Sequence, residues 1–285
     1  MLAKLTKHEF LTIGRTALPA YIGILAISLV GRFLTWLTSK QYLIDNVPVT
    51  FVRIIKILSS LISVVYVIAF IAFVVLTLVY LIYRFYRNYF TDEGYLMHTL
   101  PVKPISLIFS KLFNSWIWIL FSAVIAFGSL WITFGHYDRL MNSIHNLTDS
   151  IKNAFEMQGE FIEEQLGVPI WVFVIELVLF FFLLITRYVL SWYSSVGFGI
   201  IIAKKHRLLG TIISYLIIDN VSYMLTGGVL GIITKILPQH MAELTESGGK
   251  ALQMTVIGYS VLNLALSALL VWFLTYIFKR KLNLD

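Results

Sequence analysis

The chain contains no cysteine, and only 13% of its 285 residues are Asp, Glu, Lys or Arg. That is about half the charge of an ordinary soluble domain. Without cysteine there is no disulfide scaffold. Low charge beside 59% hydrophobic content excludes intrinsic disorder. Nucleotide and metalloprotease signatures are missing as well. No G-x-x-x-x-G-K-[ST] loop exists, since Gly248-Gly249-Lys250 lacks the preceding glycine, and no H-E-x-x-H occurs. The six histidines are scattered, and His136 and His145 have no convincing ligand set around them. No serine–lysine or serine–histidine constellation shares a depth, so catalysis by this chain is not expected.

What is present is apolar. The chain has 21 Phe, 15 Tyr and 7 Trp, and its mean hydropathy is +0.84. A water-soluble globule of this size has too little interior to hide such a surface. The composition predicts an all-α integral membrane protein. Six apolar runs are long enough for a hydrocarbon core of about 30 Å: residues 17–37, 57–83, 105–134, 170–203, 211–237 and 251–278. Pro19 suits the first turn of the first run. No signal-peptide cleavage pattern precedes that run, so the whole chain is expected to be retained.

Six spans place both termini on one side. Lys4, Lys7, Arg15, Arg84, Arg87, Lys103, Lys111, Lys204, Lys205, Arg207, Lys279, Arg280 and Lys281 share that side. Lys40, Arg53, Lys56, Arg139, Lys152, Lys235 and Lys250 lie on the other. The bias predicts cytoplasmic termini. It also absorbs the net charge of +7 as an orientation signal, so no nucleic-acid partner is expected. Trp36, Trp131 and Trp171 fall at predicted outer ends, as an aromatic belt does.

Three segments lie outside the spans. Residues 1–16 read as an amphipathic helix, with Lys4, Lys7, His8 and Arg15 opposite Leu2, Leu5, Phe10 and Ile13. Glu9 and Leu11 spoil the pattern. The helix either lies among anionic headgroups or simply extends the first span. Residues 84–104 form a cytoplasmic turn in which Asp92 caps a short helix from about Glu93 to Leu100, ended by Pro101. Tyr95, Leu96, Met97 and Leu100 beside Phe85, Tyr89 and Phe90 make this turn unusually apolar. It needs cover from lipid, from the chain itself or from a partner protein. Residues 135–168 repeat apolar positions at helical spacing and carry a net charge of −4. They predict a helical extracellular segment between the third and fourth spans, either solvated or attractive to cationic cargo.

Four ionisable residues sit within the spans: Arg32, Glu176, Arg187 and Asp219. Each costs about 2.5–3.5 kcal/mol at mid-bilayer on insertion scales and calls for a partner or a water-lined cavity. Depth matches Arg32 with Glu176 and Arg187 with Asp219. Such pairs either hold the bundle together or line a transport path.

The layout resembles the permease subunit of an ABC-2 type transporter. Met1-Leu2-Ala3-Lys4-Leu5 with Lys7-His8-Glu9-Phe10, and above all Asp92-Glu93-Gly94-Tyr95-Leu96-Met97-His98-Thr99-Leu100-Pro101-Val102, are similar to a bacterial subgroup of these permeases. The resemblance implies that Asp92, Glu93, Gly94, Tyr95, Leu96, Met97, Leu100 and Pro101 form a coupling helix that docks on a separate ATPase subunit. That subunit binds ATP and Mg, so the chain itself carries no cofactor. A second permease copy, identical or related, completes the assembly, with membrane lipids around it. The implied place is the bacterial plasma membrane. The implied function is export of a hydrophobic or amphipathic substrate, with a peptide or drug favoured by the acidic outer segment. The family often has an outer re-entrant element between its last two spans, which residues 226–250 supply if Gly227, Gly228 and Gly231 break the helix. The rival expectation is a non-transporting sensor or immunity subunit that binds peptide or lipid.

Overall fold

In a computed structural model, the described residues are 2–39, 48–91, 94, 103–135, 146, 149, 163, 166–203, 205–236 and 248–280. Six long helices contain most of them: α1 (Leu2–Ser39), α2 (Val49–Phe90), α3 (Pro104–Phe134), α4 (Ile170–Ile202), α5 (Arg207–Ile236) and α6 (Gly248–Arg280). No strand occurs among the described residues. All six helices are long and apolar enough to cross a membrane.

Prolines mark several helix starts. Pro48 and Pro169 accept the first backbone hydrogen bonds of α2 and α4, at 2.9 Å from Phe51 and from Val172, while Pro104 opens α3. A first-turn proline loses nothing, because its missing N–H has no partner there anyway. Glu163 adds a cap to α4 by accepting from the Ile170 N–H at 3.2 Å.

Two features differ from the sequence-based expectations. Residues 2–39 form one continuous helix, the alternative in which the N-terminal stretch extends the first span, so Pro19 lies in the helix interior rather than in a first turn. Likewise α5 runs unbroken through Gly227, Gly228 and Gly231 to Ile236. Glycine weakens a helix by only about 1 kcal/mol, and an apolar surrounding denies the backbone any water to bond with instead. Residues 237–247 of the expected re-entrant element lie outside the described residues. In the outer segment only Gly135, Asn146, Asp149, Glu163 and residues 166–168 are described, of which Asn146, Asp149, Glu163 and Leu166 are helical.

The chain divides into two compact units, Met1–Tyr83 with Phe113–Ile144, and Arg84–Leu112 with His145–Asp285. The first unit is built on Ile13, Tyr21, Ile24, Tyr66, Phe73, Leu81 and Trp118. Phe10 stacks on Trp118 with ring centres 5.0 Å apart, and Tyr21 meets Phe73 edge-on at 5.4 Å. Two hydroxyl pairs cross this apolar interior: Tyr21 with Ser122 at 2.7 Å and Tyr66 with Ser129 at 3.0 Å.

In the second unit α4 packs on α5 and on α6. Small residues set the first of these contacts. A Cβ on Gly199 would lie 2.4 Å from the Thr211 nitrogen, and one on Gly210 would lie 2.5 Å from the Gly199 oxygen. The backbones touch, as small-residue contacts between membrane helices allow.

Candidate functional site

The second unit contains the residues that flank the segment to which the family resemblance gives a coupling role. Gly94 is helical and donates its N–H to the Thr91 carbonyl at 2.7 Å. A side chain there would collide with the Tyr89 carbonyl, at 2.6 Å from a Cβ, so the turn requires glycine. Asp92, Glu93, Tyr95, Leu96, Met97, Leu100 and Pro101 lie outside the described residues.

Upstream of the segment, Phe85, Tyr89 and Phe90 are buried. The cover that this apolar surface needs comes, for these three residues, from within the unit. Phe85 stacks face to face on Tyr193 of α4, with ring centres 3.8 Å apart and planes at 9°. Tyr89 and Phe90 meet Phe278 of α6 at 5.2 and 5.9 Å. Gly197 leaves just enough room, since a Cβ there would lie 3.4 Å from Phe90 and 3.3 Å from Ile277. Downstream, the Tyr89 hydroxyl donates to the Leu107 carbonyl in the second turn of α3, at 3.1 Å. Leu107, Ile108 and Lys111 are buried, and the Lys111 ammonium sits 5.5 Å above the centre of the Tyr89 ring. The flanking helices α2 and α3, through Phe85–Phe90 and Leu107–Lys111, thereby share one aromatic base with α4 and α6.

At the same end of α4 and α5, residues 205–207 are exposed. Arg207 donates to the Tyr86 hydroxyl at 3.1 Å. This gives the base a basic rim.

Of the four ionisable residues within the spans, the structure brings Arg187 and Asp219 together, with Nη1 and Oδ1 3.8 Å apart. The Arg187 side chain is 11% exposed and that of Asp219 38%. The guanidinium also lies 4.2 Å from the centre of the Tyr188 ring, a cation–π contact. Glu176 finds its partner in Gln253 of α6, which donates to Oε1 at 3.2 Å. Its other oxygen, Oε2, is buried with no hydrogen-bond partner among the described residues. Arg32 belongs to the first unit and Glu176 to the second.

Sequence reasoning missed a run of hydroxyls. Ser191 and Ser194 follow Arg187 on one face of α4, at spacings of four and seven residues. Their hydroxyls, with those of Ser214 on α5 and Ser267 on α6, are buried and have no partner among the described residues. Each retains capacity for water or a polar ligand, and buried polar groups ordinarily use it. The spacing from Arg187 was the available signal. Glu9, the acid that breaks the amphipathic pattern of residues 1–16, is 5% exposed and faces inward with Ile13. No group of three or more His, Cys, Asp or Glu that could hold a metal ion occurs among the described residues.

Comparison with known proteins finds no matching family model, no matching curated protein and no matching solved structure.

Proposed function

We propose that the chain is the permease subunit of an ABC-2 type exporter in the bacterial plasma membrane, with both termini in the cytoplasm. Two permease copies work with separate ATPase subunits that bind ATP and Mg. The cargo is hydrophobic or amphipathic, with a peptide or drug favoured. The observation that carries this reading is the packing of the helix ends that flank residues 92–102 on the base made by Phe85, Tyr89, Phe90, Tyr193 and Phe278. A segment mounted in this way suits a mechanical connection. Force applied to it passes through closely packed rings into α4 and α6 rather than being lost in a slack loop. Six apolar helices and the absence of a nucleotide loop from the sequence support the same division of labour.

In this scheme the chain does no chemistry. Its acidic residues Asp92 and Glu93 and the apolar Leu96 and Met97 engage the ATPase subunit, Gly94 permits the turn beneath Tyr89, and the aromatic base transmits the displacement. Binding of ATP by the partner biases the assembly only insofar as it favours one arrangement over another.

Affinity purification from native membranes tests the proposal. An ATPase subunit is expected to accompany the wild-type chain and to be lost from Glu93→Arg/Leu96→Arg, which should still be inserted at wild-type level. ATPase stimulation should vanish with it. Unchanged association in the double variant removes the assignment of residues 92–101. Cargo movement into vesicles that hold the purified chain alone removes the exporter reading altogether.

A further inference from the structure

The buried serines of α4, α5 and α6 fall into two groups. Ser195, Ser222 and Ser260 are satisfied within their own helices, each donating to the carbonyl four residues back at 2.6–2.7 Å. Ser191, Ser194, Ser214 and Ser267 have no hydrogen-bond partner among the described residues. The first three of these are 0% exposed and Ser267 is 6% exposed.

Contacts between the helices bring the four unsatisfied hydroxyls to one place. α4 and α5 run antiparallel, with Gly199 against Gly210 and Arg187 against Asp219. That register sets Ser214 level with Ser194. α6 runs parallel to α4, with Gln253 beside Glu176 and Phe273 beside Phe198, which sets Ser267 level with Ser191. Three residues separate the two levels, about 4.5 Å of rise. On α4, Ser191 and Ser194 lie about 60° apart, on the face that also carries Arg187. All four hydroxyls thus fall within one turn of the three-helix core, between the ion pair on one side and the touching glycines on the other.

We infer that this turn is a binding site for a small cluster of ordered water that ties α4, α5 and α6 together. Each hydroxyl offers one donor and two acceptor lone pairs, and water meets both needs. The surroundings carry no net charge, since Arg187 and Asp219 offset each other. A bare cation would stand about one turn from the guanidinium, and an anion would feel the carboxylate, so neither is held as well. Hydrocarbon offers a hydroxyl no partner at all. Leu183 and Leu274 are buried on either side of the site, and the short serine side chains between them leave space that a larger residue would fill. Bridging waters remove the penalty of four buried, unbonded hydroxyls. Such a bridge re-forms when helices shift, which interlocked side chains do not. The inference stands independently of the exporter reading.

Thermal unfolding in detergent and radiolytic footprinting test it on the full chain. Removing a hydroxyl that bonds nothing stabilises a protein, whereas removing one that holds water loses a bond. Ser194→Ala and Ser214→Ala should therefore each lower the melting temperature by about 1–4 °C, and together by less than the two effects added. The same shortfall is expected for Ser191→Ala with Ser214→Ala, which lie on different levels and are joined only through water. In footprinting, radicals formed from bound water should oxidise Leu190, which is 1% exposed beside the site. That labelling should fall at least fivefold in Ser194→Ala/Ser214→Ala, while labelling of the exposed Tyr223 stays as it was. A higher melting temperature in the alanine variants, or no labelling of Leu190 in the wild type, overturns the inference. Coupling confined to Ser194 with Ser214 overturns it in favour of direct hydroxyl contact. A melting temperature that changes when sodium and potassium are replaced by N-methylglucamine overturns it in favour of a bound cation.

Discussion

In the unit that contains α1, the interior is filled by large side chains, and two tyrosine–serine hydroxyl pairs cross it. Tyr21–Ser122 and Tyr66–Ser129 join aromatic residues to serines that also bond their own helix, at Trp118 and Ala126. In the unit that contains α4, α5 and α6, contact is made through small residues, and two opposite charges meet. Gly199 and Gly210 bring two backbones together, Arg187 faces Asp219, and four serine hydroxyls remain without a partner among the described residues. A tyrosine-filled interior tolerates the loss of one hydroxyl, because every group left behind is still satisfied. An interface of touching backbones has no slack, and a partly buried ion pair does not lose one member cheaply. The second unit is thus the more demanding of the two, and it also carries the helix ends that flank residues 92–102.

Glycine substitutions should break this contrast most sharply. Gly199→Ala places a methyl group 2.4 Å from a backbone nitrogen and should cost about 3 kcal/mol or more, the range for overpacking at a rigid contact. Gly23→Ala in the first unit meets nothing within 4 Å and should be neutral or slightly stabilising through helix propensity. Thermal unfolding in detergent, read by loss of the monodisperse peak, measures both. Similar melting temperatures for the two variants would erase the distinction between the units.

Removal of one charge should come next. Arg187→Leu leaves Asp219 without its ion-pair partner and should destabilise by about 1–3 kcal/mol, less than for a fully buried pair because Asp219 is 38% exposed. Arg187→Asp should lower the amount of folded protein further, and adding Asp219→Arg should restore part of it. A double variant as damaged as the single one would show that the two charges do not act together. The smallest effect belongs to Tyr21→Phe and Tyr66→Phe, each about 0.5–1 kcal/mol by the same melting assay, since interhelical hydrogen bonds in membranes average roughly 0.6 kcal/mol.

Much of the fold was legible because a membrane span announces itself by composition. The third, fourth and sixth apolar runs lie within three residues of the helix ends at both termini. The second run was cut short at Ile57 and Tyr83 where charges begin, yet α2 continues from Val49 to Phe90. Charge limits how deep a residue sits, and a helix continues past that limit at no penalty. The pairing of Arg187 with Asp219 followed from equal depth. Gln253 did not, because an amide near a helix start looks like ordinary surface. Phe85, Tyr89 and Phe90 were readable as apolar, but Tyr193 and Phe278, which cover them, lie more than 100 residues downstream. No local pattern encodes such a partner.

The length of α2 bears on the kind of bilayer this protein inhabits. Its uncharged stretch, Ile57–Tyr83, lies between Arg53 and Lys56 at one end and Arg84 and Arg87 at the other, and spans about 40 Å at the helical rise. A hydrocarbon slab of roughly 30 Å accommodates such a rod by leaning it some 40° or by swelling around it. Acyl chains two carbons longer would let the rod stand more upright, so lipid thickness acts on this helix as a setting, independent of any nucleotide or cargo.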